Sequence, residues 1–195
     1  AGGGGAVVGG GGGAGTGGGQ RGGEGRDKIT CAGVAPVARA ALGGKDDLMT
    51  RGAAVRATQM AAALQSLLDS SVGYAQERVA FGRPIAKFQA IQHDLARLAG
   101  EVAAATAAAG SAAVAIEGAK AFDEAVFLEA ASAKIRAGEA ANDGALIAHQ
   151  VHGAIGFTQE HVLHRFTHRL WSWRDDFGGE AAWAVRLGEA ICAGG

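Results

Sequence analysis

Three histidines, His161, His164 and His168, fall at i, i+3 and i+7 beside Glu160, which places imidazoles on one face of a predicted helix. Such a face could hold zinc or a di-iron pair. The chain has no His-Glu-x-x-His run, and no Glu-x-x-His on a second segment completes a four-helix metal site. No metal is assigned, and the histidines read as solvated or ion-paired neighbours of Arg165 and Arg169. Asp175 and Asp176 precede Phe177-Gly178-Gly179-Glu180. Acids there could serve as a general base, or favour the positive start of a last helix. Arg78 stands just ahead of Phe81-Gly82, where a guanidinium could clamp a phosphate or make an ordinary surface ion pair. Gly153 and Gly156 follow Gln150 and remove Cβ atoms where backbone could approach a ligand, or simply cap a helix and turn the chain. Trp171, Trp173 and Trp183 cluster near the end, as core packing or as the lining of a contact. His93 and His149 flank apolar faces and read as packing residues.

Helices must position these groups. Leu48, Val55, Met60, Leu64, Leu67, Leu68, Val72 and Val79 recur at three-, four- or seven-residue steps and predict a helix over about 47–79. Gly82 and Pro84 break it. A second helix is expected over about 86–118, with Phe88, Ile91, Leu95, Leu98 and Val102 on one stripe. A third is expected over about 122–151, through Phe122, Val126, Ala130, Ala133, Ala137, Ala141, Ile147 and Val151, small enough for close approach. Two shorter helices follow, over about 158–171 and 178–193. Short connections between long helices imply antiparallel neighbours, so the fold class is all-α, an antiparallel up-and-down helical bundle. Helices of about 30 residues span roughly 45 Å, more than a compact globule of this size needs, so a further packing partner is expected.

The chain has 195 residues, a net charge of -1 and 34 glycines, many of them within the first 25 positions. Residues 1–45 read as a Gly-rich, weakly structured leader with a candidate β-domain remnant, and 46–195 as the helical domain. Lys28 to Val37 could hold one strand, with Pro36 against a central place in a sheet. The leader is no phosphate loop: no apolar strand precedes it and no Gly-Lys-Ser/Thr follows. Balanced charge gives no footprint for nucleic acid or an anionic membrane. Two cysteines, Cys31 and Cys192, exclude a disulfide framework. The weakly polar run Val102 to Ile116 is too short for a membrane span, and no secretory signal is readable, so a cytoplasmic protein is expected. The start at Ala1 suggests a processed chain or a fragment.

The run Tyr74-Ala-Gln-Glu-Arg-Val-Ala-Phe-Gly-Arg-Pro-Ile-Ala-Lys-Phe-Gln-Ala-Ile-Gln-His-Asp-Leu95 resembles the helix junction of the acyl-CoA dehydrogenase C-terminal domain. The match centres on Arg78, Phe81, Gly82, Ile85, Phe88, Gln89 and Gln92. Gln150-Val-His-Gly-Ala-Ile-Gly-Phe157 with Glu160 is similar to that family's second glycine signature, and the order and spacing agree. The resemblance covers roughly residues 42–193. It implies FAD at a dimer interface, an acyl-CoA substrate, an electron acceptor and a homo- or hetero-oligomer. It also implies that Arg78 faces the FAD pyrophosphate, that Phe81 and Gln89 border the adenine–ribose half, and that Gln150, Gly153 and Gly156 bring backbone to a neighbour's cofactor.

The chain departs from that pattern where the family's Tyr-Glu-Gly-Thr run supplies a catalytic Glu. An ungapped match puts Phe177 at the Glu position, with Asp176 one residue earlier. Asp176 is the candidate base, ahead of Asp175 and Glu180, and a chain without catalysis is the other outcome. Some members carry the Glu on the first helix instead; that register falls at Gly52. The family's N-terminal and β-domains are missing from this sequence. Two functions follow from the resemblance: flavin-dependent α,β-desaturation of an acyl-CoA thioester by a partial chain or oligomer subunit, or a non-catalytic helical module completing a partner's FAD site.

Overall fold

The computed structural model describes residues 4–7, 13–32, 35, 37–41, 44–119 and 123–193. Phe122 and Pro36, each given a role above, lie outside them. Three long helices form the body: α1 (Lys45–Glu77), α2 (Gln89–Gly118) and α3 (Glu124–His152), followed by α4 (Leu163–Asp175) and α5 (Glu180–Ala193). This is the expected all-α, up-and-down bundle. α3 is its axis and packs on α1, α2, α4 and α5, while α4 also lies against α1.

Alanine builds most of the core. Ala53, Ala57, Met60, Leu64, Leu67 and Ala75 of α1 are buried, as are Leu98, Val102, Ala105, Ala109 and Ala112 of α2. α3 contributes Val126, Ala130, Ala133, Ala137, Ala141 and Val151. Gly144 shows how tight this is: a Cβ there would lie 2.6 Å from a methyl of Leu64. The stripe expected on α1 is corrected at both ends, since Leu48, Val55 and Val79 are 65%, 55% and 56% exposed. Small residues at Ala53, Ala57 and Ala61 take the inward positions, so the buried face lies over alanine and away from the larger side chains.

The connections set which ends meet. α1 ends at Arg78, whose backbone leaves the helix in an extended conformation. A hairpin follows, β5 (Val79–Ala80) paired antiparallel with β6 (Arg83–Pro84). Its two central residues, Phe81 (φ 52°) and Gly82 (φ 77°), both occupy the left-handed region, as a tight two-residue hairpin demands. A 3-10 turn (Ile85–Lys87) then leads into α2, so the second helix starts three residues later than 86. Asp123 caps α3 by accepting from Val126 N at 3.1 Å. Gly153, at φ 63°, stops α3, and a 3-10 turn (Gly153–Phe157) leads toward α4.

The leader differs from expectation. β1 (Gly4–Val7) pairs antiparallel with β4 (Ala38–Ala41), and β2 (Gly13–Thr16) with β3 (Lys28–Cys31). Ladder hydrogen bonds use backbone alone, so glycine-rich segments can pair without any side-chain pattern. The turn between β2 and β3 is anchored to the bundle: Gly22 N donates to Ser172 Oγ at 3.0 Å, and Trp173 Nε1 donates to the Glu24 carboxylate at 3.0 Å.

By length and composition alone, α2 is apolar enough to cross a membrane, with a window of mean hydropathy 1.4 of which 22% is buried. In this fold α2 packs on α1 and α3 and presents an alanine-rich outer face.

Candidate functional site

The two sequence motifs meet at one end of the bundle. α1 ends there, α2 begins there and α3 ends there. The Tyr74 ring stacks on His152 with centroids 4.5 Å apart, tying the α1 end to the α3 end. Arg78 is exposed, and among the described residues no carboxylate pairs with it. The ordinary surface ion pair is therefore not what this arginine makes. Phe81 is 96% exposed on the hairpin tip, its ring edge-on to Phe88 at 6.2 Å. The Arg83 guanidinium lies over Phe88 at 4.3 Å, which stiffens the hairpin base. Gln89 opens α2 and Gln150 sits in the last turn of α3, both exposed.

The glycines divide. A Cβ on Gly153 would meet nothing within 4 Å, but its φ of 63° favours glycine. Gly156 departs from the expected role. It is buried, and a Cβ there would lie 2.8 Å from Leu163 and 3.1 Å from His152 Cβ. Its bare Cα makes room for the chain's own packing and not for an approaching ligand.

Beneath this end lie two buried imidazoles. His149 accepts or donates at Nε2 with Thr167 Oγ1 (3.2 Å), and His152 Nδ1 pairs with the Ala148 carbonyl (2.8 Å). The other ring nitrogens, His149 Nδ1 and His152 Nε2, are buried without a hydrogen-bond partner among the described residues. Burial holds both imidazoles below the ordinary histidine pKa. His161 does not share a helical face with His164 and His168. α4 starts at Leu163, and His161 lies ahead of it, accepting from Leu163 N at 3.2 Å.

Asp176 lies at the opposite end. Arg56 and Arg26 both pair with its carboxylate, the Arg56 contact at 2.8 Å, and its side chain is 5% exposed. Arg56 also reaches Glu24 (3.5 Å) and lies over Trp173 at 5.3 Å. The next residue, Phe177, has φ 57°, and its ring covers Gly52 so closely that a Cβ there would sit 2.2 Å from Cδ1. The two positions from which the family's acid can act are thus in contact here, one held by an aromatic ring and the other by a bare Cα.

Sequence reading missed the device that fixes this loop. Lys134 of α3 is fully buried, and its Nζ donates to the carbonyls of Arg174 (2.5 Å) and Gly178 (2.8 Å). Burial lowers its pKa to about 8, against the opposing fields of Glu180 and Asp175. The signal was there: one cation among Ala130, Ala133 and Ala137 on an otherwise apolar stripe. Glu180, the third acid considered above, accepts from Arg174 Nε at 2.8 Å, and that bond holds its carboxyl below the usual range. Trp183 Nε1 donates to the Phe177 carbonyl at 2.9 Å, and Trp183 is core, packed with Ala53 and Ala131.

The family model for the acyl-CoA dehydrogenase C-terminal domain matches residues 46–172. The chain belongs to the acyl-CoA dehydrogenase family. Acyl-CoA dehydrogenase IpdE2 of Mycolicibacterium smegmatis is 33% identical over 138 residues, 71% of this chain and 42% of that protein. IpdE2 of Mycobacterium tuberculosis is 36% identical over 113 residues, 58% of this chain and 33% of that protein. The chain therefore spans less than half the length of these curated relatives. Among solved structures, the ChsE4–ChsE5 complex from Mycobacterium tuberculosis is similar at TM-score 0.77 and 26% identity, covering 93% of this chain and 50% of that one. A glutaryl-coenzyme A dehydrogenase matches at TM-score 0.84 and 24% identity over 94% of this chain and 48% of that one, a likeness of fold. The family model runs from α1 into α4.

Proposed function

We propose that this chain is the C-terminal helical part of a flavin-dependent acyl-CoA dehydrogenase that desaturates an acyl-CoA thioester between its α and β carbons within an oligomer. The observation that carries the reading is the meeting of Arg78, Phe81, Gln89, Gln150 and Gly153 at one end of a bundle belonging to this oxidoreductase family. These residues fit FAD: Arg78 offers a guanidinium with no protein carboxylate among the described residues, and Phe81 offers an exposed ring beside it. Arg78 would hold the pyrophosphate. Phe81 and Gln89 would border the adenine–ribose half, while Gln150 and the backbone at Gly153 would close the site over packing that Gly156 permits. The bound flavin would supply hydride acceptance, leaving positioning and electrostatics to the protein.

Arg56, which holds Asp176, and Arg78 lie about 33 Å apart along α1 at 1.5 Å per residue. That exceeds the reach from the reactive ring of one flavin to its own pyrophosphate. With Asp176 as the base, the two groups would serve different cofactors, and a complete site would take residues from two chains.

Phe177 on Gly52 and the pairing of Asp176 with two arginines favour a second reading, a non-catalytic module that completes a partner subunit's FAD site. Asp176 remains the acid nearest the family's loop position. The test is visible flavin absorbance of the purified chain together with its size-exclusion profile. Arg78→Gln loses flavin from the chain itself under the first reading and from its assembly with the partner subunit under the second, while the helical spectrum stays intact. Asp176→Asn separates the two. Lost acyl-CoA turnover with flavin and thermal stability retained supports the base. Lost stability without a selective loss of turnover supports the module.

A further inference from the structure

The turn that the leader lays on α4 creates a second, independent feature. Arg21 from that turn and His164, Arg165, His168 and Arg169 from α4 line a recess of about 330 Å³. No carboxylate lines it, although the chain carries 19 acids and a net charge of -1. Elsewhere Arg26, Arg56, Arg136, Arg174 and Arg186 each pair with an acid, while Arg78, Arg83 and Arg97 have no carboxylate partner among the described residues. Among the described residues, Arg21, Arg165 and Arg169 have no carboxylate partner.

The recess is built from both sides. The Gly22 amide to Ser172, Trp173 to Glu24, and Arg26 to Asp176 hold the turn on α4 across a sequence separation of about 150 residues. Gly22 lies against the Arg169 stem, where a Cβ would come within 3.3 Å of Cγ. Three arginines line this recess with no acid among its lining residues, which favours an anion there. Guanidinium forks match phosphate oxygens in pairs. Next to the recess, and sharing Arg21 with it, lies a hollow of about 510 Å³ lined by Gln20, Trp171, Ser172, Asp175 and Asp176 among others. Arg26 also lines the hollow and with Arg56 holds Asp176, which leaves Asp175 to face a neutral ring with amino groups, for which Trp171 offers a flat face.

We infer that this cleft is a nucleotide site, with two or more phosphates against Arg21, Arg165 and Arg169 and the base beside Trp171. The site adjoins the hairpin end, since His164 Nδ1 meets the His161 carbonyl (2.6 Å) and the Trp171 ring stacks on His149 (6.0 Å), but it uses neither Arg78 nor Phe81. It is tested by calorimetric titration of ADP and of inorganic pyrophosphate into the 195-residue chain at low salt. Both ligands bind the unaltered chain. R165Q/R169Q and R21Q each lower both affinities at least about tenfold, the scale of one lost charge-assisted contact. W171L weakens ADP and leaves pyrophosphate unchanged. Exposed Arg97, far from the cleft in sequence, serves as the control, and R97Q changes neither. Absence of binding to the unaltered chain overturns the inference, as does equal loss in R97Q and R165Q/R169Q. Loss in R78Q with full binding in R165Q/R169Q also overturns it, while supporting the flavin reading of the hairpin end.

Discussion

Asp176 illustrates how a carboxylate can be conspicuous in sequence and committed in structure. Arg56 and Arg26 hold it, and Arg56 also faces Glu24, so α1, α4 and the leader share one ionic junction. Lys134 plays the matching role from α3. Lys134→Met keeps most of the volume but strips two buried carbonyls of their donor, at about 1–3 kcal/mol each. A loss of roughly 2–4 kcal/mol in urea unfolding is expected. Lys134 also titrates lower folded (about 8) than unfolded (10.5). The unfolded chain therefore binds the extra proton between those values, and stability rises with pH across that window. Lys134→Met should abolish the rise. His149 and His152 follow the same sign at lower pH. Both are held below the ordinary value of 6.5, mainly by burial and further by neighbouring histidines. Stability is full above the ordinary value of 6.5 and falls as the pH drops below it, as the unfolded chain takes up protons first. Melting temperatures across that range check this, and His149→Gln with His152→Gln should flatten the slope.

At the scale of elements, α1 and the α4–α5 loop fit through one contact. Gly52→Ala drives a methyl into the Phe177 ring, and a loss of about 1–3 kcal/mol is expected from overpacking. Combining it with Phe177→Ala should recover much of that loss, a coupling that a double-mutant cycle reads directly. The helices themselves were legible from the 3.6-residue recurrence, to within a few residues at each end. Their inward faces were less so. Leu48 and Val55 drew the predicted stripe outward because a large side chain counts more than alanine in a hydrophobic pattern, yet Ala53 and Ala57 are the residues with no exposure. The hairpin break at Phe81 and Gly82 was legible from the sequence, while Gly156 could be told from Gly153 only by its surroundings. The leader's ladders carried no side-chain signal at all, and Lys134 looked like a surface cation until its acceptors, 40 and 44 residues away, were in place.

At the scale of the whole molecule, chemistry is divided between two ends. The hairpin end presents Arg78 and Phe81 outward, and the far end gathers Asp176, Phe177 and Lys134. Oligomerisation is what such a division requires if both ends serve one reaction, and the exposed alanine flank of α2 is suited to close approach by another surface. The anchoring of residues 20–26 onto residues 172–176 has a temporal consequence. During synthesis the Gly22 turn leaves the ribosome long before Ser172 and Trp173 exist. At about 5–20 residues per second, it waits on the order of 8–30 s for its docking surface. The bundle helices can pair meanwhile through nearer contacts, so the ionic junction closes last. A nascent chain stopped before α4 should hold the first three helices and leave its amino-terminal turn accessible to protease.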